Sequence, residues 1–235
     1  MSGRPKALLF DVFGTVVDWR GSIARHIDAL AAKRGWSVGG NDFAVAWRKR
    51  YQPSMERIRS GGRGFVKLDI LHRENLEEVL EEFSISDLSE AEKAELNTVW
   101  HRLAPWPDVV GGLNRMKSRH ILATCSNGNI SLMVNMAKNQ GLPWDMVLGA
   151  EVTESYKPMR QCYLGSAEAL DLDPGECCMV AAHNEDLAAA QSFGLMTAYV
   201  ERPAEYKDDG GPYPATGDWD FVARDFIELA AQLDA

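Results

Sequence analysis

The sequence predicts an α/β fold: a doubly wound parallel sheet with a helical segment inserted near its start. Two observations predict it. Short apolar runs alternate with helical patterns over the second half of the chain. The first of the runs ends in one acid followed closely by Gly and Thr. In open sheets of this kind ligands bind at the carboxyl ends of the strands.

Ala7–Phe10 reads as a buried strand with Asp11 at its end. Gly14 permits a tight turn behind it, and the Thr15 hydroxyl can hold one carboxylate oxygen. Asp11 is then either a nucleophile or a cap for the next helix. Residues 19–104 are rich in charge and helix formers, with periodic stretches at Glu74–Phe83 and Glu90–Leu103 and no convincing strand. They read as a helical cap that excludes water from Asp11. Pro105 and Pro107 mark the return to a core made of residues 1–18 and 105–235.

The core's further strands are expected at His120–Thr124, Met146–Gly149, Cys178–Ala181 and Met196–Val200. Its helices are expected at Ile130–Asn139, Gln161–Leu170 and Asp186–Phe193. Tyr206–Asp218 reads as a loop, and a terminal helix is expected near Asp225–Gln232.

At 46% hydrophobic residues the chain can bury a large core, and its net charge of −9 argues against a nucleic-acid surface. A small anionic substrate therefore needs a local basic pocket. No apolar run has the length of a membrane span. The opening Met-Ser-Gly-Arg-Pro-Lys lacks the apolar core of a signal peptide, and no pair of the four cysteines has zinc-ligand spacing. A reduced, cytoplasmic setting is expected.

Four more islands share the layout of one site. Ser126-Asn127-Gly128 follows a strand and is either a plain turn or a set of anion donors. Tyr156-Lys157-Pro158 is either a solvated loop or the source of a lysine that keeps Asp11 ionised. Ala182-His183-Asn184-Glu185-Asp186 opens a helix, where Asp186 is a first-turn acid or a group that positions water. Arg48 and Arg50 cannot point the same way on one helix, so one can face a cleft while the other stays in solvent.

In this order, Asp-x-x-x-Thr, Ser-Asn-Gly, Lys-Pro and a late acid resemble the haloacid dehalogenase superfamily over nearly the whole chain. The resemblance implies that superfamily's Rossmann-like fold with its cap. Phosphatases of the superfamily carry a second Asp two residues after the nucleophile, where this chain has Phe13, and an acid for Mg²⁺ where it has Ala182. The stretch from Phe10 to Asp18, with Trp47-Arg48 and Leu103-Ala104-Pro105-Trp106, looks like the type II (S)-2-haloacid dehalogenases, which need neither metal nor organic cofactor. A Mg²⁺-dependent phosphatase or phosphonate hydrolase is the alternative, because Glu185 and Asp186 remain.

The resemblance implies a 2-haloacid substrate and roles for each residue. Asp11 attacks the halogen-bearing carbon, and water then cleaves the resulting ester. Arg48 and Asn127 take the halide ion. Ser126, with backbone N–H groups at Val12 and Phe13, binds the substrate carboxylate. Thr15 and Lys157 position Asp11. Tyr163 sits at the family's tyrosine spacing, and Asp186 positions water. Asn184 joins the substrate-binding set, with Trp19.

His183 and Ala181 depart from the family's Ser-x-Asn, and His183 is either a base, a halide donor or a structural imidazole. The Ala-Ala-His-Asn variant resembles one branch of the family, and the resemblance implies compact fluorinated acids as substrates for some of its members. Of Phe13, Trp19, Trp47 and Trp106, two are expected to touch substrate. Relatives are often homodimers, and no surface patch in the sequence marks an interface.

Overall fold

The structure, a computed structural model, describes residues 4–206 and 214–234. Strand β1 (Ala7–Phe10) is an inner strand of a five-stranded sheet, between the edge strand β4 (Ile121–Thr124) and the central strand β5 (Cys177–Ala181). The sheet continues through β6 (Met196–Val200) to β7 (Phe221–Ala223), and every pairing is parallel. Its register places Phe10 beside Thr124 and Val180, so three strands end on one edge.

Burial on both faces explains the continuous apolar runs. Leu8 and Phe10 point into one core with Val180 and Ala198, while Ala7 and Leu9 point into another with Met179 and Tyr199. The first face is covered by α6 (Val109–Met116), α7 (Ile130–Gln140) and α10 (Phe226–Asp234), the second by α8 (Arg160–Glu168) and α9 (Asn184–Ser192).

Between Asp18 and Ala104 the chain forms α1 (Trp19–Arg34), α2 (Gly40–Lys49), α3 (Tyr51–Arg59), α4 (Leu68–Glu82) and α5 (Glu90–Asn97). Two-residue strands β2 (Val17–Asp18) and β3 (Ala104–Pro105) pair antiparallel and bring the two ends of this helical segment together. Asp18 then caps α1, accepting from the Gly21 N–H at 2.7 Å. The periodic stretch Glu90–Leu103 divides into α5 and a 3₁₀ turn at Thr98–Arg102.

One expected strand is absent, and one strand is present that the sequence pattern does not show. Met146–Gly149 is not a strand: Met146 makes one isolated bridge to Ala123. Side chains occupy the ladder positions there, since Thr124 Oγ1 takes the Leu148 N–H at 2.8 Å and Asp145 takes the Leu122 N–H at 3.0 Å. The edge strand β7 escapes a pattern search because it has three residues, one of them buried. Residues 207–213 of the expected loop lie outside the described residues. No helix among the described residues is long and apolar enough to cross a membrane.

Candidate active site

Asp11 stands at the carboxyl end of β1, 7% exposed. Thr15 Oγ donates to its Oδ2 at 2.8 Å and itself accepts the Ala182 N–H at 2.9 Å. The Lys157 ammonium meets Oδ1 at 2.9 Å and also bonds Asp186. His183 Nδ1 faces Oδ2 at 3.2 Å. Burial by itself raises the Asp11 pKa, but the Lys157 charge and the His183 contact outweigh it and hold the carboxyl well below its usual range. Burial likewise works against the Lys157 charge, and Asp11 with Asp186 overcomes it and raises the lysine well above its ordinary value. Asp11 is therefore an ionised, oriented carboxylate.

The loop after β4 supplies Ser126 and Asn127. Asn127 Oδ1 accepts the Lys157 backbone N–H at 2.7 Å, tying two of the islands together. Ser126 is equally buried, its Oγ accepting the Gly128 N–H at 3.1 Å. Tyr163, on α8, donates to Asp186 at 2.6 Å, and its burial and that anion both keep the phenol protonated. Val12 is fully buried, and its carbonyl takes the Val16 and Val17 N–H groups to close the turn.

Above these residues a cleft of 640 Å³ separates the sheet edge from α2 and α3. Arg48 enters it, with its guanidinium carbon 3.9 Å above the Tyr51 ring, 5.3 Å from Trp19 and 5.8 Å from Phe13. Its Nη1 is buried and has no partner among the described residues. Arg50 turns the other way, to Glu78 and Glu82. The pair is divided as helical spacing requires.

Of the four aromatics, Phe13 lines the cleft and Trp19 flanks the guanidinium. Trp47 does not reach the cleft: it donates to the His72 carbonyl at 2.9 Å and packs on Trp100. Trp106 also points away, donating to the Gly14 carbonyl at 2.8 Å. Asn184 is a further correction. Its amide bonds Pro214 and Trp219, outside the cleft. It sits two residues before Asp186 on one helix, about 200° around the axis, so the two cannot share a site.

Glu205, Tyr51 and Arg59 were not legible as site residues. Tyr51 follows Arg48 by three residues, a helical spacing that could have found it. Arg59 donates to the Lys157 carbonyl at 2.8 Å. Glu205 comes from the loop after β6 and meets His183 Nε2 at 3.0 Å. No local signal marks it.

The fold defines a class of α/β enzymes whose chemistry sits at the carboxyl edge of a parallel sheet. Residues 5–194 match the family model for haloacid dehalogenase-like hydrolases, and the chain belongs to that family. It is similar to the crystal structure of a defluorinating L-2-haloacid dehalogenase, with 49% identity and a TM-score of 0.94 over 98% of this chain and 96% of that one. A second L-2-haloacid dehalogenase structure is 44% identical, with a TM-score of 0.93 over 98% and 99% of the two chains. Among characterised sequences, (S)-2-haloacid dehalogenase 1 of Pseudomonas sp. (strain CBS-3) is 27% identical over 210 residues, 86% of this chain and 88% of its own.

Proposed function

We propose that this protein hydrolyses the carbon–halogen bond of short 2-haloalkanoic acids, haloacetates and (S)-2-halopropionates, to 2-hydroxy acids. Fluoroacetate belongs to the proposed range, in keeping with the defluorinating enzyme to which the chain is 49% identical. The observation that carries the reading is the pairing of an ionised Asp11 with Arg48 across one cleft, with Phe13 where a phosphatase acid would stand.

Asp11 attacks the carbon, and the halide leaves toward Arg48 and Asn127. An unpartnered guanidinium nitrogen over an aromatic cage suits a compact anion, where a donor acts on charge as it develops. Ser126 and the backbone N–H groups behind Asp11 take the substrate carboxylate. Thr15 and Lys157 hold Asp11, while Asp186, tied to Lys157 and Tyr163, orders the water that cleaves the ester. In this proposal the protein's own side chains supply every step, with no cofactor.

Halide release from chloroacetate, fluoroacetate and (S)-2-chloropropionate in EDTA, beside Asp11→Asn, tests it. Release that needs Asp11 and survives EDTA is expected. No release, with Mg²⁺-dependent hydrolysis of a phosphate ester, would overturn it in favour of a phosphatase.

A further inference from the structure

We propose that Glu205 is a positioning residue for the second half-reaction: it holds His183 as a two-proton donor against Asp11 while Asp11 is esterified. The proposal rests on the reading of Asp11 as the nucleophile. His183 lies between two carboxylates, Nδ1 at 3.2 Å from Asp11 Oδ2 and Nε2 at 3.0 Å from Glu205 Oε2. A neutral imidazole has one N–H, so satisfying both acceptors requires the cation.

Glu205 is built into this place. It is 3% exposed, and the Trp19 indole donates to its Oε1 at 3.0 Å. Its N–H bonds the Arg202 carbonyl at 3.1 Å, while Arg202 reaches the Thr15 carbonyl at 2.7 Å and clamps Asp108 with two bonds of 3.0 Å. The carboxylate occupies the space that Gly14 leaves by lacking a side chain.

Esterification removes one of the two anions that flank His183. What then faces the ring matters. Glu205 remains, with Asp186 and Glu185 further along the cleft. Against them stand the cations Lys157, Arg48 and Arg202, with Tyr199 and Tyr206 as phenols. Without Glu205 no anion would touch either ring nitrogen, and the proton would leave.

The proton is needed at Oδ2. That oxygen already receives Thr15 and His183, so it is the one that stays behind as the ester carbonyl when Oδ1 attacks. Water adds to the acyl carbon, and the C=O electron pair moves onto Oδ2, facing two donors. Collapse breaks the bond between the acyl carbon and Oδ1. That oxygen leaves with the 2-hydroxy acid and takes one of water's protons. The other proton goes to solvent, and Asp11 returns as a carboxylate.

Glu205→Gln with chloroacetate separates the steps. Halide should appear as a burst of one equivalent per site, with glycolate following about 100-fold more slowly than in the unaltered protein. The glycolate phase should weaken further as pH rises through the ordinary imidazole range near ~6.5, and Glu205→Asp should restore part of it. Equal slowing of both phases, or an unchanged pH profile, would overturn the proposal. If the unaltered protein releases no halide, the nucleophile reading fails instead. A second measurement needs no turnover: in Asp11→Asn, a neutral stand-in for the ester, ¹⁵N chemical shifts should report His183 doubly protonated at neutral pH. A neutral ring there would overturn the proposal.

Discussion

Lys157 holds Asp11 through its ammonium, 2.9 Å from Oδ1, and is itself held by Asn127, whose Oδ1 accepts the Lys157 backbone N–H at 2.7 Å. Both side chains of the ion pair are about nine-tenths buried. Breaking such a pair from one side leaves an uncompensated charge. Lys157→Met should therefore cost about 3–5 kcal/mol in urea unfolding and abolish halide release. Adding Asp11→Asn should recover part of the stability and none of the activity. Full recovery of turnover in the double variant would exclude Asp11 as the nucleophile.

Arg48 shows the opposite balance. A guanidinium with one buried, unpartnered nitrogen is costly in the free protein, and its return comes when an anion arrives. Arg48→Met should lower kcat for halide release about 100-fold or more while holding or raising the urea midpoint. Arg48→Lys should not rescue it, because a point charge cannot reproduce the planar stack on Tyr51. A variant that loses stability and activity together would make Arg48 a structural residue.

How far these residues could be read from the chain depends on where they lie in it. Asp11, Thr15 and Asn127 sit within a few residues of strand ends, so the order of strands places them together before any coordinates exist, whereas Lys157 follows a run that only resembles a strand. Asn184 defeats that logic, because adjacency in sequence puts alternate helix residues on different sides. Glu205 defeats it differently. Its position depends on the Arg202 anchor and on the Gly14 gap, which are contacts across nearly two hundred residues with no local pattern. Met146–Gly149 has the composition of a strand, and the Thr124 and Asp145 side chains deny it the ladder.

Protonation should limit stability from both sides. Burial lowers the His183 pKa, but Glu205 and Asp11 outweigh it and bring the group from 6.5 to about 10. A raised pKa contributes stability in full below 6.5, and that contribution is lost as pH rises through about 10. Asp11, held below its usual range, contributes above about pH 4, and its share is lost on acidification. Urea midpoints of the unaltered protein should fall between pH 6.5 and 10, and His183→Gln should flatten that limb. An unchanged alkaline limb in the variant would mean the ring carries no extra charge.

Gly14 and Glu205 should behave as one unit. Gly14 has a φ of +93°, where a side chain strains the backbone, and an added Cβ would lie 2.0 Å from Glu205 Oε1. The strain alone is worth about 1–3 kcal/mol. The collision is separate, since Glu205 can retreat only by giving up Trp19 and His183. Gly14→Ala should therefore cost more stability than strain alone and reproduce the slow ester hydrolysis of Glu205→Gln. With Glu205→Ala in the background, the collision disappears and only the strain is left. The double-mutant cycle should show a coupling of about 0.5–3 kcal/mol between these two residues, measured by urea unfolding. Strict additivity would mean that the carboxylate moves aside freely and is not held where His183 needs it.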